Sequence, residues 1–183
     1  MRRMSGPAFL VLAAASGALM LPQCAAAQSP VSVSAELPLM SRYLFAGIPF
    51  SSDWIQQAQV SVNRGGFTVY GFGTFDFDMS EVTEADIYAD FYRQLTPLVG
   101  AFVGGALYNF DFGPTGGGWQ GTPELYAGVV LGVALNPSLL VAHDFDLGDG
   151  THVLLSVSHS VPVGEGGVTA DFGGNVDYNR EYW

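Results

Sequence analysis

The sequence has no lysine, and its six basic residues, all arginine, face seventeen acids. That balance argues against a nucleic-acid partner, because such binding needs a basic stripe to replace the counterions of the phosphates. Cys24 is the one cysteine, so an internal disulfide framework is excluded. After Leu21 there is no long unbroken apolar run, which excludes a helical membrane protein. Charged residues are also scarce, at 13% of the chain against 49% hydrophobic, an odd pairing with a formal net charge of −11. Apolar side chains turned outward, with acids confined to loops and to a wet interior, would reconcile the two.

What is present begins with a secretory signal. Arg2 and Arg3 form a positive start, 9–21 is apolar, and Ala25-Ala26-Ala27 offers a small-residue cleavage site before Gln28. The apolar run is too short to cross a bilayer as a helix. Leu21-Pro22-Gln23-Cys24 touches the lipoprotein pattern, but Gln23 stands where that site wants a small residue. The expectation is therefore a cleavable signal over 1–27, Sec export, and one domain over 28–183. Cleavage removes Cys24, Arg2 and Arg3 together, leaving four arginines against seventeen acids, a net charge of −13.

From Phe67 to Tyr178 one unit repeats: about ten residues of alternating apolar and polar character, rich in aromatics and glycine, closed by a turn. Nine strands are expected, at roughly 31–48, 54–62, 67–78, 84–92, 98–110, 124–134, 139–145, 151–161 and 168–178. The first should be irregular, since Pro38 cannot donate to a ladder. In the fourth, Ala85, Ile87, Ala89 and Phe91 alternate with Glu84, Asp86, Tyr88, Asp90 and Tyr92. Three acids on one strand face are intolerable in lipid, so that face must point to a wet lumen. In the sixth, Leu125, Ala127, Val129, Leu131 and Val133 should face outward.

Tight connections at 63–66, 95–97, 135–137 and 162–167 alternate with 49–53, 79–83, 113–123 and 146–150, which include the longest loop. Short and long ends alternate in this way in outer-membrane barrels. Odd strand counts are unusual there, so nine strands imply a barrel that does not close as it stands, by truncation or because the first segment is two strands. The fold class is thus all-β: an antiparallel up-and-down transmembrane β-barrel, about nine strands visible and incomplete.

Ser41-Arg42-Tyr43-Leu44-Phe45-Ala46-Gly47-Ile48 resembles the opening signature of the TorF-type porin family of bacteria, also called the Gcw_chp domain. Pro123-Glu124-Leu125-Tyr126-Ala127-Gly128 with Asn136-Pro137-Ser138-Leu139 is similar to that family too. So are Asp144-Phe145-Asp146, Gly148-Asp149-Gly150 and Leu155-Ser156-Val157-Ser158-His159-Ser160. The resemblance covers most of 31–178. It implies an outer-membrane barrel and a pore, and it supplies no catalytic residues.

Other chemistry weighs little. Asp144-x-Asp146-x-Gly148-Asp149-Gly150 has the look of a calcium loop, but Gly148, Asp149 and Leu155 stand where that motif wants an oxygen ligand, glycine and glutamate. An acidic turn at a strand end is the better reading, and no metal is expected. His143 and Asp144 should point to opposite faces of a strand, as should His152 and His159. No motif joins nucleophile, base and orienting acid, so no enzyme and no cofactor are expected. Aromatics such as Tyr43, Phe45, Trp54, Tyr70, Phe75, Phe77, Tyr88, Phe91, Tyr108, Phe110, Trp119 and Tyr126 are expected to form interfacial girdles. The competing arrangement is the core of a soluble periplasmic β-sandwich.

The expected function is passive diffusion of small hydrophilic solutes across the outer membrane. Asp76, Asp86, Tyr88, Asp90, Tyr92 and Asp171 are the lumen-lining candidates, and their acidity should favour cations. The expected partners are outer-membrane lipid and those solutes or cations. A structural or adhesive barrel that conducts nothing is the other possibility, because eight to ten strands enclose little more than side chains.

Overall fold

In the computed structural model, residues 30–45, 48–111, 118–164 and 168–181 are described; the expected signal over 1–27 lies outside them. The elements are β1 (Ser32–Glu36), β2 (Leu39–Met40), β3 (Tyr43–Phe45), β4 (Ile48–Ser51), β5 (Ile55–Arg64) and β6 (Phe67–Asp76). They continue with β7 (Glu81–Thr96), β8 (Val99–Asp111), β9 (Trp119–Leu131), β10 (Ser138–Asp144), β11 (Thr151–Val163) and β12 (Val168–Arg180). Nine of them form one antiparallel up-and-down sheet in the order β1-β5-β6-β7-β8-β9-β10-β11-β12, curled into a half-barrel. β1 and β12 are the two ends of that path, so the unclosed all-β meander read from the sequence is what the chain forms.

The first segment departs from the single strand expected over 31–48. β1 and β2 share one register on β5, from Ser32↔Asn63 through Glu36↔Gln59 to Leu39↔Gln56. The break falls at Pro38, which lacks an N–H; its carbonyl accepts from the Gln57 amide at 3.0 Å and from Gln56 Nε2 at 2.7 Å. The chain then leaves the sheet, and β3 and β4 pair only with each other, with a register shift at Tyr43/Leu44. Residues expected to extend the first strand and to form the loop at 49–53 thus make a separate hairpin. Elsewhere β7 is longer than expected, and β9 starts at Trp119 rather than near residue 124.

Turn chemistry sets the registers. Gly65 and Gly66 have φ of +63° and +89°, the left-handed pair that a two-residue hairpin requires. Gly66 also passes its carbonyl to the Tyr92 amide at 2.8 Å, and a Cβ there would run into the Tyr92 backbone oxygen. The β7–β8 turn is closed by Thr96 Oγ1, which accepts from the amides of Leu98 and Val99 at 3.2 and 3.1 Å. The β9–β10 connection is longer than the three-residue turn expected. In it Leu135 sits at φ +67°, a conformation rare for leucine, and its carbonyl is held by the Ser158 amide at 2.8 Å.

Alternation divides the sheet into two surfaces. The convex face carries Val60 and Val62 on β5, Ile87, Ala89 and Phe91 on β7, Val103 and Leu107 on β8, and Leu125, Ala127 and Val129 on β9. It continues with Leu139 and Val141 on β10, Leu155 on β11, and Phe172 and Val176 on β12. These are not covered: Ile87 is 54% exposed, Leu125 61% and Val176 69%. The concave face carries Gln57, Gln59 and Ser61 on β5, the acids and tyrosines of β7, and Thr122, Glu124 and Tyr126 on β9. A sheet solvated by water alone buries its apolar side and shows its polar one. Here the sides are exchanged.

The two turn glycines give a contrast that can be measured. Gly66→Ala must hold an L side chain at φ +89° against the Tyr92 carbonyl and should cost about 1–3 kcal/mol. Gly65→Asn has open space and a φ that asparagine tolerates, so it should shift the denaturant midpoint little. Urea titrations of both variants would check the difference.

Candidate functional site

The concave face gathers the acids because β6, β7 and β9 present theirs on the same parity. Register places Tyr70 opposite Tyr88, Phe72 opposite Asp86 and Thr74 opposite Glu84. On the other side of β7, Asp90 lies opposite Gly104, and Gly104 opposite Tyr126. Having no side chain, Gly104 lets the Tyr126 ring cross β8 toward Asp90; a Cβ there would stand 2.6 Å from that ring and 2.7 Å from Asp90 Cβ. Tyr126 Oη then reaches Asp90 Oδ2 at 3.5 Å.

Most of these carboxylates have named donors, as buried charges require. Glu84 accepts from Thr74 Oγ1 at 2.8 Å and from Tyr43 Oη at 3.1 Å. Asp86 accepts from Tyr88 Oη at 2.9 Å and from the Asn109 amide at 3.0 Å, taking a backbone donor where the β7–β8 ladder opens between Glu84↔Phe110 and Ile87↔Leu107. Tyr108 Oη donates to Glu124 Oε1 at 3.0 Å. At the end of β6, Asp76 accepts from Ser51 Oγ at 2.7 Å and from the amides of Asp78 and Met79 at 2.9 and 3.1 Å.

All six lumen candidates lie on this face, but they are not alike. Asp76 and Asp86 are buried and bound to donors, and Tyr92, also buried, donates to Gln94 Oε1 at 2.5 Å. Tyr88 is half-buried and stacks on Tyr70 with ring centroids 4.3 Å apart. Asp90 is half-buried. Asp171, opposite Ser160 on the last strand, is exposed. Asp90 and Asp171 are thus the least covered acids among the candidates. Glu84 lies on this face with Asp86 and Asp90, as the alternation of the fourth strand required. Glu124, Asp144 and Asp177 share the face and were missed as lining residues, although strand parity alone could have found them. His152 meets Asp177 in a close Nε2–Oδ1 contact.

The aromatics do not form the girdle expected of all of them. Tyr70, Tyr88, Tyr108, Phe110 and Tyr126 point inward and pack on one another, with Tyr88 edge-on to Tyr108 at 5.5 Å and Tyr108 stacked on Phe110 at 5.9 Å. Tyr43 and Phe45 join them from the hairpin. Trp54, Phe77, Phe91 and Trp119 are exposed, as girdle residues are. The reason is parity: the inward rings sit in phase with the acids, and three of them, Tyr88, Tyr108 and Tyr126, donate to acids.

The calcium-like loop is an acid-capped turn. Asp144 is fully buried; its Oδ1 accepts from the amides of Asp146, Gly148 and Asp149 at 3.1, 2.8 and 3.2 Å, and Oδ2 accepts from Thr122 Oγ1 at 2.5 Å. His143 turns the other way and contacts Thr151 Oγ1 at 3.1 Å, as the alternation required.

Replacing Asp144 should therefore loosen 145–150. Asp144→Ala leaves three amides without their acceptor and should cost about 2–4 kcal/mol, read as a lower urea midpoint and faster proteolysis in that loop. Asp144→Asn keeps an acceptor oxygen and should lose less.

Comparison with protein-family models, with curated proteins and with solved structures finds no match.

Proposed function

We propose that the chain is an outer-membrane β-barrel of porin type, through whose acidic lumen small hydrophilic solutes pass by diffusion, cations in preference to anions. The observation that carries this reading is the inverted surface. An uncharged apolar belt runs over the convex face from Val60 to Val176, while acids and tyrosines face inward. A soluble β-sandwich would cover that belt, and exposed apolar patches of such extent mark membrane or protein contact. Strands of 10 to 16 residues meet the length needed to cross a bilayer when tilted, β1 with 5 residues and β10 with 7 being the exceptions. Arg64 and Arg93 stand on the convex side at the short-turn end, where long cationic side chains can reach lipid headgroups. The signal-like start and the resemblance to TorF-type porins agree with this reading. In lipid the β1 and β12 edges must find strand partners, since no water is there to satisfy them.

A second reading, a structural or adhesive barrel that conducts nothing, is favoured by the inward rings, which fill much of the concave side.

The tests are direct. A protein that needs detergent and migrates differently on a gel before and after boiling fits the barrel; solubility without detergent would end the membrane reading. In planar bilayers, Asp90→Asn should lower the cation-over-anion permeability ratio by roughly fivefold, because one charge about 8 Å from an ion in water shifts the cation and the anion each by a little over twofold, in opposite directions. An unchanged ratio would remove the acidic-lumen mechanism.

A further inference from the structure

The apolar belt of the convex face is interrupted at one place. Gly105, midway along β8, offers no side chain there, and a groove of about 570 Å³ opens around it. Its ladder neighbours are Ala89 on β7 and Leu125 on β9, and Val69, Leu107 and Phe145 add to the walls. Each of those side chains is apolar.

Two cations stand at one end of the groove. The chain has no lysine, and the convex wall is charged at the short-turn end by Arg64 on β5 and Arg93 on β7. Both are exposed. The ion pairs among the described residues are made by His143 and His152, and neither of these arginines has an acid as partner there. Register fixes their spacing: Arg64 lies opposite Phe67, Phe67 opposite Phe91, and Arg93 follows Phe91 by two residues. Two steps across the sheet and two residues along it put the two Cα atoms about 12 Å apart. Two guanidinium arms can converge from that spacing on one phosphate above the exposed Phe67 and Phe91 rings. Along β7 the groove begins at Ala89, four residues from Arg93, or about 13 Å. That is close to half of the roughly 30 Å hydrocarbon core, the depth that one acyl chain reaches from its headgroup.

We infer that this column of the convex face binds one anionic phospholipid. Arg64 and Arg93 hold its phosphate at the short-turn end, and an acyl chain runs over Phe67 and Phe91 into the groove at Gly105. Charge complementarity selects this occupant: two cations without acid partners, set at the end of an apolar groove, match a molecule that is anionic at its head and apolar along its tail. The inference rests on the membrane reading above and is independent of whether the barrel conducts.

The test is native mass spectrometry of the full chain released from neutral-detergent micelles, titrated with phosphatidylglycerol or with zwitterionic phosphatidylcholine carrying the same acyl chains. One phosphatidylglycerol should be retained in preference to phosphatidylcholine. Arg64→Gln combined with Arg93→Gln should weaken phosphatidylglycerol binding about thirtyfold and phosphatidylcholine far less, since each arginine beside an anionic headgroup contributes about fivefold. Ala89→Leu fills the groove from an exposed position and leaves both arginines in place, so it should weaken both lipids. Heat-modifiable migration shows that each variant is folded. A preference that survives loss of both arginines, or none in the unaltered chain, would overturn the phosphate site. Unchanged binding in Ala89→Leu would overturn the groove as the seat of the acyl chain. A series of several equally held lipids would mean general membrane contact only and would overturn the single site. Solubility without detergent would instead remove the membrane reading and this inference with it.

Discussion

Every pair of neighbours in the main sheet is antiparallel, with breaks in the ladder only on the two sides of β7, so the backbone leaves each side chain only two directions in which to point. Everything else in the molecule depends on how that binary choice is filled. A slip of one residue in any strand would send its acids to the convex face and its valines to the concave one. The registers are therefore held hard at the short turns: by the two left-handed glycines after β5, by Thr96 after β7, and by the Ser158 amide on the Leu135 carbonyl after β9.

The inward surface answers a problem of its own. Glu84, Asp86, Glu124 and Asp144 are crowded onto neighbouring strands and largely buried, a costly arrangement unless each carboxylate receives donors. Threonine and tyrosine hydroxyls supply most of them, and backbone amides supply the rest at Asp86 and Asp144. The rings Tyr70, Tyr88, Tyr108 and Tyr126, expected in an interfacial girdle, are drawn inward among these acids. A tyrosine offers both an apolar body to pack and a hydroxyl to donate, which suits a face lined with acids.

This division of labour gives the concave side two zones. Around Asp90, and at the last strands where Asp171 is exposed, carboxylates are open to solvent. At the long-loop end the acids are engaged with the wall, with the capped turn at Asp144, and with the hairpin. Open carboxylates and carboxylates that act as structural acceptors are thus separated along one concave face.

How much of this the chain announces can be judged from particular residues. Glu84, Asp86, Asp90 and their partners Ala85, Ile87 and Ala89 declare a two-sided strand by their order alone, and Asn63-Arg64-Gly65-Gly66 declares its turn. Period-two patterning is local, so the all-β meander, the nine wall strands and the inward parity of all six lumen candidates were legible in the sequence. The alternation of Tyr43, Phe45 and the residues around them looked the same, yet they left the wall. Pro38 interrupts the first strand locally, but what draws Tyr43, Phe45, Phe50 and Ser51 inward is the aromatic surface of Tyr108 and Phe110 and the acceptors Asp76 and Glu84, all distant in sequence. Which tyrosines serve acids, and which acids are left open, was likewise decided only when the sheet curled. Such contacts depend on separations across the concave face, which no periodicity within a single strand encodes.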